Sequence, residues 1–365
     1  MIEVADIADK LAPMALDLCE ELLPNGFRDG QVWRCSGISD HGGSTSMWVD
    51  LSGSRQGRWR DAGNCPSDEK MGDLVDLIRL RLCGGDMRAA VQEAKRRLGI
   101  EDAPSANGRP AMTDAERARR AEEAAERRRQ REKQLAEERE SKMKNARALY
   151  LAHASVPIAR TPADFYLRNR GLTPDPLPAW PGCLRFHPEA YCKPIGAKAP
   201  AMLAPVYRAD GCHVATHRTY LRNDPARGWV KIDSPNAKMV LGPMGGGFIP
   251  INKGASGKPM SAMPEGEPVY MTEGIEDGVV LRMAKPEARI VAGISLGNIG
   301  AIVFPENVGQ LILAADRDDN PQAIETLERS IAQQQARGVL VQLVFPPAEF
   351  KDLNDWLRGV RKGEA

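Results

Sequence analysis

The sequence predicts a mixed α/β chain that ends in a parallel sheet flanked by helices, and three observations predict it. From residue 268 on, strand-length apolar runs alternate with segments of helical spacing. Two of those runs stop directly at acidic residues, and an acidic loop follows a third. Upstream, the character changes to Pro- and Gly-rich segments with short strands and an excess of positive charge. PVYMT, RIVAG, GQLILAAD and VLVQLVF read as strands; EDGVVLRMA, residues 321–337 and KDLNDWLRGV read as helices. Such alternation requires crossover connections, and crossovers make a parallel sheet with helices on its faces.

The earlier segments read in order. Residues 1–25 hold one amphipathic helix, 4–23, closed by Pro24-Asn25-Gly26. Residues 26–100 form a small β-then-α module: WRCSGI, TSMWVDL and GRWRDAGN as strands, then two helices each stopped by glycine. Residues 101–144 are a linker followed by a charged helical stretch, 20 of whose last 32 residues are charged. Arg127-Arg128-Arg129 there fits a nucleic-acid arm, but the dense Glu–Arg pairing at helical spacing fits a solvated spacer better. Residues 145–264 form a basic α+β subdomain with a hairpin turning at Ala209-Asp210-Gly211, and residues 265–365 form the terminal α/β domain.

Composition excludes several classes. No apolar run of this 365-residue chain approaches the ~20 residues that span a bilayer. The N-terminus has no basic segment followed by an apolar stretch, so no secretory leader is expected. Seven scattered cysteines without a CxxC fit a reducing cytoplasm rather than a disulfide framework. The net charge of +1 hides an uneven distribution: −4 over 1–112, +2 over 113–144, +9 over 145–264 and −6 over 265–365. A basic block suits a polyanion, and an acidic block suits cations where its carboxylates converge.

In a parallel sheet, ligands bind beyond the carboxyl ends of the strands. There the sequence delivers Glu273, Glu276 and Asp277 after one strand, Asp316, Asp318 and Asp319 after another, and Asp352 and Asp355 after the last. Any one of these equally fits a helix N-terminus, where acids are common. Gathered at one edge, carboxylates repel and need cations, and an all-oxygen set suits Mg²⁺ or Mn²⁺. Two such ions can clamp the oxygens of a phosphoryl transfer.

TEGIED, LILAADRDD and KDLND together resemble the Toprim fold of bacterial-type primases, topoisomerases and some nucleases. The resemblance implies Glu273, Asp316 and Asp318 as catalytic metal-holding acids, extended by Asp277, Asp352 and Asp355, with Mg²⁺ or Mn²⁺ as cofactor. Glu276 is the weaker candidate, because the pattern centres on its neighbours. The adjoining ADFYLRNRGLT, VYRADGCHVATHRTYL, VKIDSPNAKMVLGP and ISLGN resemble the polymerase core of bacterial-type primases. Residues 26–100 resemble, more loosely, the tail of the primase zinc-binding domain. The expectation is therefore a phage- or plasmid-type DNA primase, working on a single-stranded DNA template and nucleoside triphosphates. Arg170, Arg185, Arg218, Lys231 and Lys238 lie in the matched stretches and are the expected nucleotide and template contacts.

One departure bears on this reading. A structural zinc needs a Cys/His quartet, and Cys35, His41, Cys65 and Cys83 lack paired spacing, so no zinc is expected. Trp33, Trp48, Arg58 and Trp59 suit stacking on single-stranded DNA, or the Trp residues form the module's small core. No GxxxxGK[ST] occurs, so no ATP motor is expected in this chain, and the resemblance to bacterial-type primases implies a helicase partner in trans. GPMGGGF, 242–248, reads as a flexible turn. A Toprim nuclease using water as nucleophile, or a non-catalytic single-stranded-DNA-binding replication accessory, are the alternatives.

Overall fold

The computed structural model describes residues 4–37, 46–62, 70–100 and 114–363. The chain divides into two compact units, residues 1–132 and 133–365. In the first, the predicted single N-terminal helix is two, α1 (Val4–Leu11) and α2 (Ala15–Leu22), separated by a short turn at Pro13. Proline has no N–H to donate, so a new helical segment starts there. Five short strands follow as an antiparallel meander: β1 (Phe27–Asp29), β2 (Val32–Cys35), β3 (Met47–Asp50), β4 (Trp59–Asp61) and β5 (Met71–Gly72). Helices α3 (Leu74–Leu82) and α4 (Met87–Leu98) pack with them. Asp73 caps α3 by accepting the Val75 and Asp76 N–H groups, and Asp76 returns a bond to the Asp73 N–H.

Period-two alternation puts Trp33 opposite Val49 on the buried face of this sheet. Trp33 and Trp59 both lie in the core, and the Trp59 indole N–H donates to the Asp73 carbonyl at 2.8 Å. The stacking platform considered for these two side chains is therefore replaced by the small core; Trp48 is half-buried. Arg58 reaches Asp73 at 3.4 Å. Cys35 is buried in β2 and Cys83 packs half-buried at the end of α3, while His41, Cys65 and the linker at 101–112 fall outside the described residues.

The charged stretch is helical, as its composition implies, and runs as α5 from Asp114 to Tyr150. In the second unit come β6 (Val156–Pro157), α6 (Pro162–Asn169), β7 (Arg185–Cys192), β8 (Ala197–Tyr207), β9 (His213–Asp224), β10 (Gly228–Lys231) and β11 (Lys238–Leu241). These strands form an antiparallel sheet in the order β10-β9-β8-β7-β6, and β11 also pairs with β9. The β8–β9 hairpin turns at the predicted residues, with Gly211 at φ +80° and its N–H donating to the Arg208 carbonyl.

The terminal sheet has the order β12-β14-β13-β15-β16, from β12 (Ile249–Lys253), β13 (Val269–Thr272), β14 (Arg289–Ala292), β15 (Gln310–Ala314) and β16 (Leu340–Val344). The last four strands are parallel, and β12 adds an antiparallel edge. Its helices are α7 (Ile275–Ala284), α8 (Leu296–Ala301), α9 (Pro321–Gln335) and α10 (Leu353–Arg358). Met202, Ala204 and Leu221 of the antiparallel sheet share one core with Ile251, Ile275, Val279 and Ile290. That shared core brings a face of the basic sheet against the first turn of α7.

Candidate active site

Parallel pairing sets Thr272 of β13 beside Ala314 of β15. Glu273 and Asp316 thus leave adjacent strand ends, on strands about 4.8 Å apart. Backbone bonds fix this edge. Ile294 N–H donates to the Glu273 carbonyl at 2.9 Å, and Arg317 N–H donates to the Lys351 carbonyl at 2.7 Å. Ile294 holds φ +75°, a sterically costly state for a β-branched residue, next to the acids. Arg317 turns away: its guanidinium donates to the Pro346 carbonyl and lies 5.0 Å from the Phe345 ring centre.

The acids repel one another. Burial, then Glu273 and Asp352, push the Asp316 carboxyl up to about 7. Burial, then Asp352 and Asp316, push Asp277 up to about 8. Glu273 is raised by burial and by Asp318, against the opposing pull of Lys238. Asp355 is raised by burial and Asp352. Asp318 is exposed, and accepts the Asn320 N–H at 3.0 Å. Asp352 is also the N-cap of α10, accepting the Asp355 N–H at 2.6 Å, and Asp277 accepts the Asn354 N–H at 2.9 Å. For Asp277 and Asp352 the structural role anticipated for helix-end acids thus coexists with the electrostatic one.

Of the five basic residues, three come to this edge. Lys238 Nζ lies 2.9 Å from Glu276 Oε2. Lys231 is held below its usual pKa by burial and by Lys238. Arg170 caps α6, where its carbonyl accepts from the Asn354 side chain at 2.8 Å, and its charge acts on Lys231, Lys238 and Asp355. The other two go elsewhere. Arg185 donates to Ser155 and lies 5.6 Å from the Tyr150 ring centre. Arg218 donates to the Tyr191 carbonyl at 3.2 Å and stacks on Tyr220. Strand alternation explains Arg218: it shares a sheet face with Tyr220, opposite the face carrying His217 and Leu221.

Sequence reasoning ranked Glu276 low, yet it anchors the basic side of the site. It is buried, pairs with Lys238, and accepts the Tyr166 hydroxyl at 2.6 Å. Burial opposes its charge, but Lys238 and Tyr166 outweigh burial and hold it well below the usual carboxylate range. Tyr166 belongs to the ADFYLRNRGLT segment, so that motif's visible work is to brace a carboxylate. Asn298 was also missed as a residue. Its buried amide donates to the Gly247 and Gly293 carbonyls at 2.8 Å each and accepts the Gly246 N–H at 2.9 Å. GPMGGGF is therefore a pinned loop rather than a flexible turn. A Cβ on Gly247 would meet Val206 at 2.6 Å.

Among the described residues, no three or more His, Cys, Asp or Glu stand close enough to grip a metal ion by themselves. The donor chemistry nevertheless fits a hard divalent cation. Every donor is a carboxylate oxygen, and burial together with the neighbouring acids raises Asp316 and Asp277. Mg²⁺ sites at phosphate chemistry use one or two carboxylates, with water and substrate oxygens completing the shell, so a closed protein cage is not required.

Residues 268–363 match the family model of the Toprim domain, and residues 142–251 match that of a domain of unknown function (DUF7146). The terminal α/β domain is thus a Toprim domain. The zinc-binding and RNA polymerase domains of the Aquifex aeolicus primase are similar at 13% identity and a TM-score of 0.35, over 97% of this chain and 82% of that one. The primase fragment of the bacteriophage T7 primase-helicase protein is similar at 16% identity and 0.34, over 54% and 70%. A DNA primase domain from Pseudomonas aeruginosa is similar at 15% identity and 0.34, over 61% and 74%. No curated protein matches the chain. Among the described residues, no helix is long and apolar enough to cross a membrane.

Proposed function

We propose that this Toprim-containing chain is a DNA primase-type nucleotidyltransferase, making short primers on single-stranded DNA in phage or plasmid replication. The observation that carries the reading is the adjacency of Glu273 and Asp316 at the ends of paired strands, beside the cations Lys238, Lys231 and Arg170. The match of residues 268–363 to the Toprim model supports it.

In this reading Glu273, Asp316 and Asp318 hold Mg²⁺ or Mn²⁺, with Asp277, Asp352 and Asp355 extending the negative field. The bound ion would neutralise phosphate oxygens and stabilise the charge that develops as a 3′-hydroxyl displaces pyrophosphate. Glu276, itself braced by the Tyr166 hydroxyl, fixes Lys238 at the edge facing the phosphates. Lys231 and Arg170 widen that cationic side. Asp277 holds the amino end of α10, which keeps Asp352 and Asp355 at the edge. His217, pushed down to about 4 by burial and Lys238, stays neutral at pH 7 and adds no competing charge. The same reading implies a helicase partner in trans and a reducing cytoplasm.

The test is an assay with single-stranded DNA, labelled nucleoside triphosphates and Mg²⁺ or Mn²⁺. Oligonucleotide products that vanish in Asp316→Ala are expected. Shortened DNA without nucleotide incorporation would instead mark a nuclease. DNA binding without product, unchanged in Asp316→Ala, would mark an accessory protein.

A further inference from the structure

A cavity apart from the acids runs along the β12–β14 edge of the Toprim sheet. Its volume is about 660 Å³, and Lys253 of β12 and Arg289 of β14 line it. These two residues pair with each other, and Arg289 also pairs with Val269, the first residue of β13. The cavity therefore reaches the amino ends of the parallel strands, whereas Glu273 and Asp316 follow the carboxyl ends. None of the acids of the candidate active site lines it.

Its charge is one-sided. Five cationic side chains line it, Arg208, Lys253, Lys258, Arg282 and Arg289, and no carboxylate does. Two of the five are partly spoken for: Glu267 lies 3.2 Å from Arg289, and Asp210 lies 3.3 Å from Arg208. Arg282 is different. It is only 7% exposed, and no carboxylate pairs with it among the described residues. Two of its N–H groups donate to the Pro174 and Ala179 carbonyls at 3.4 and 2.7 Å, while its Nε has no partner. Burial pulls its pKa below the usual arginine value. The Nε of Arg208 is likewise buried without a partner. A buried guanidinium without a counter-charge is unfavourable, and its planar fork of donors matches phosphate oxygens.

The remaining wall is aromatic and apolar, with Tyr150, Tyr207 and Phe248 among its residues. A cavity of this size, mostly apolar with a few convergent charges, suits a small ligand with one flat apolar part and one anionic part. We propose that it binds a nucleotide-sized organic phosphate, its phosphates received by Arg282 and Arg208 and by the exposed Lys253 and Lys258, its ring set among the aromatic residues. This inference does not rest on the primase reading, because the cavity shares no residue with the acids.

The experiment is photolabelling of the full chain with an azido analogue of adenosine triphosphate in EDTA. Crosslinks are mapped by mass spectrometry, and Kd is measured by equilibrium dialysis. Divalent ions are absent, so metal-assisted binding at the acids does not contribute. Labelling within 205–211 or 248–260 is expected, with Lys258→Glu and Arg208→Glu each weakening Kd at least tenfold. Both side chains are solvent-accessible enough for the variants to fold. Labelling only near 273–277 or 316–318, or a Kd within twofold of wild type in both variants, would overturn the proposal.

Discussion

Lys238 and Glu276 stand 2.9 Å apart, on β11 and on the first turn of α7, and this pair joins the basic sheet to the acidic edge. Tyr166 closes the triad by donating to the second Glu276 oxygen. Breaking a fully buried pair costs about 3–5 kcal/mol. The Glu276 side chain is 6% exposed but that of Lys238 is 39% exposed, so solvent recovers part of the cost. Glu276→Ala is expected to lower unfolding stability by about 2 kcal/mol, read by chemical denaturation. Tyr166→Phe, which keeps the ion pair, is expected to cost about 1.5 kcal/mol or less, because the pair still serves the charge.

Opposite pKa shifts give the protein two pH limbs. The Glu276 pKa is depressed by folding, so its contribution is present above about pH 4.5 and is lost as pH falls toward its lower folded value. Asp277 and Asp316 are raised to about 8 and about 7. The folded state then holds protons that the unfolded chain has released, so stability falls as pH rises from about 4 to about 8. Without divalent ions, wild-type Tm should decline across that upper window. Asp277→Asn should flatten the decline, and Glu276→Gln should flatten only the acid limb. An unchanged Tm–pH curve in both variants contradicts these assignments.

Divalent ions should reverse the upper limb. A ligand that binds only the folded state stabilises it by mass action, about 2.7 kcal/mol at 100 times Kd. At pH 8, millimolar Mn²⁺ should raise wild-type Tm by several degrees. Asp316→Asn should start with a higher metal-free Tm, since repulsion is relieved, and should lose most of the Mn²⁺ response. Calorimetric scans with and without EDTA measure both.

Asn298 makes three bonds between the pinned glycine loop and the turn after β14. Each is worth about 0.5–1.5 kcal/mol net, and their loss leaves buried backbone groups unsatisfied. Asn298→Ala is expected to cost about 2–3 kcal/mol, measurable by urea denaturation. Asn298→Asp should be no better, because a carboxylate cannot donate to the Gly247 and Gly293 carbonyls.

Local periodicity made much of this legible. The four parallel strands were readable as strand-length apolar runs, two of which stop directly at carboxylates. What was not readable depended on long-range pairing. Strand β12 lacks a helical crossover and joins the sheet only as an antiparallel edge. Helix α8, LGNIGA, is small and glycine-rich, so its helical spacing carries no signal. Among the basic residues, charge alone did not separate Lys238 from Arg218. Lys238 pairs with Thr219 on β9, one residue after Arg218, and one residue on a strand exchanges faces. Glu276 ranked low because its partners, Tyr166 and Lys238, lie 110 and 38 residues away.

In the proposed reading Glu273 and Asp316 share a divalent ion. Crystals grown with Mn²⁺ and a nucleoside triphosphate, measured at the manganese absorption edge, test it most directly. An anomalous peak between the two carboxylates that disappears in Glu273→Gln is expected. Full Mn²⁺ occupancy elsewhere, with neither carboxylate within bonding distance, would contradict it.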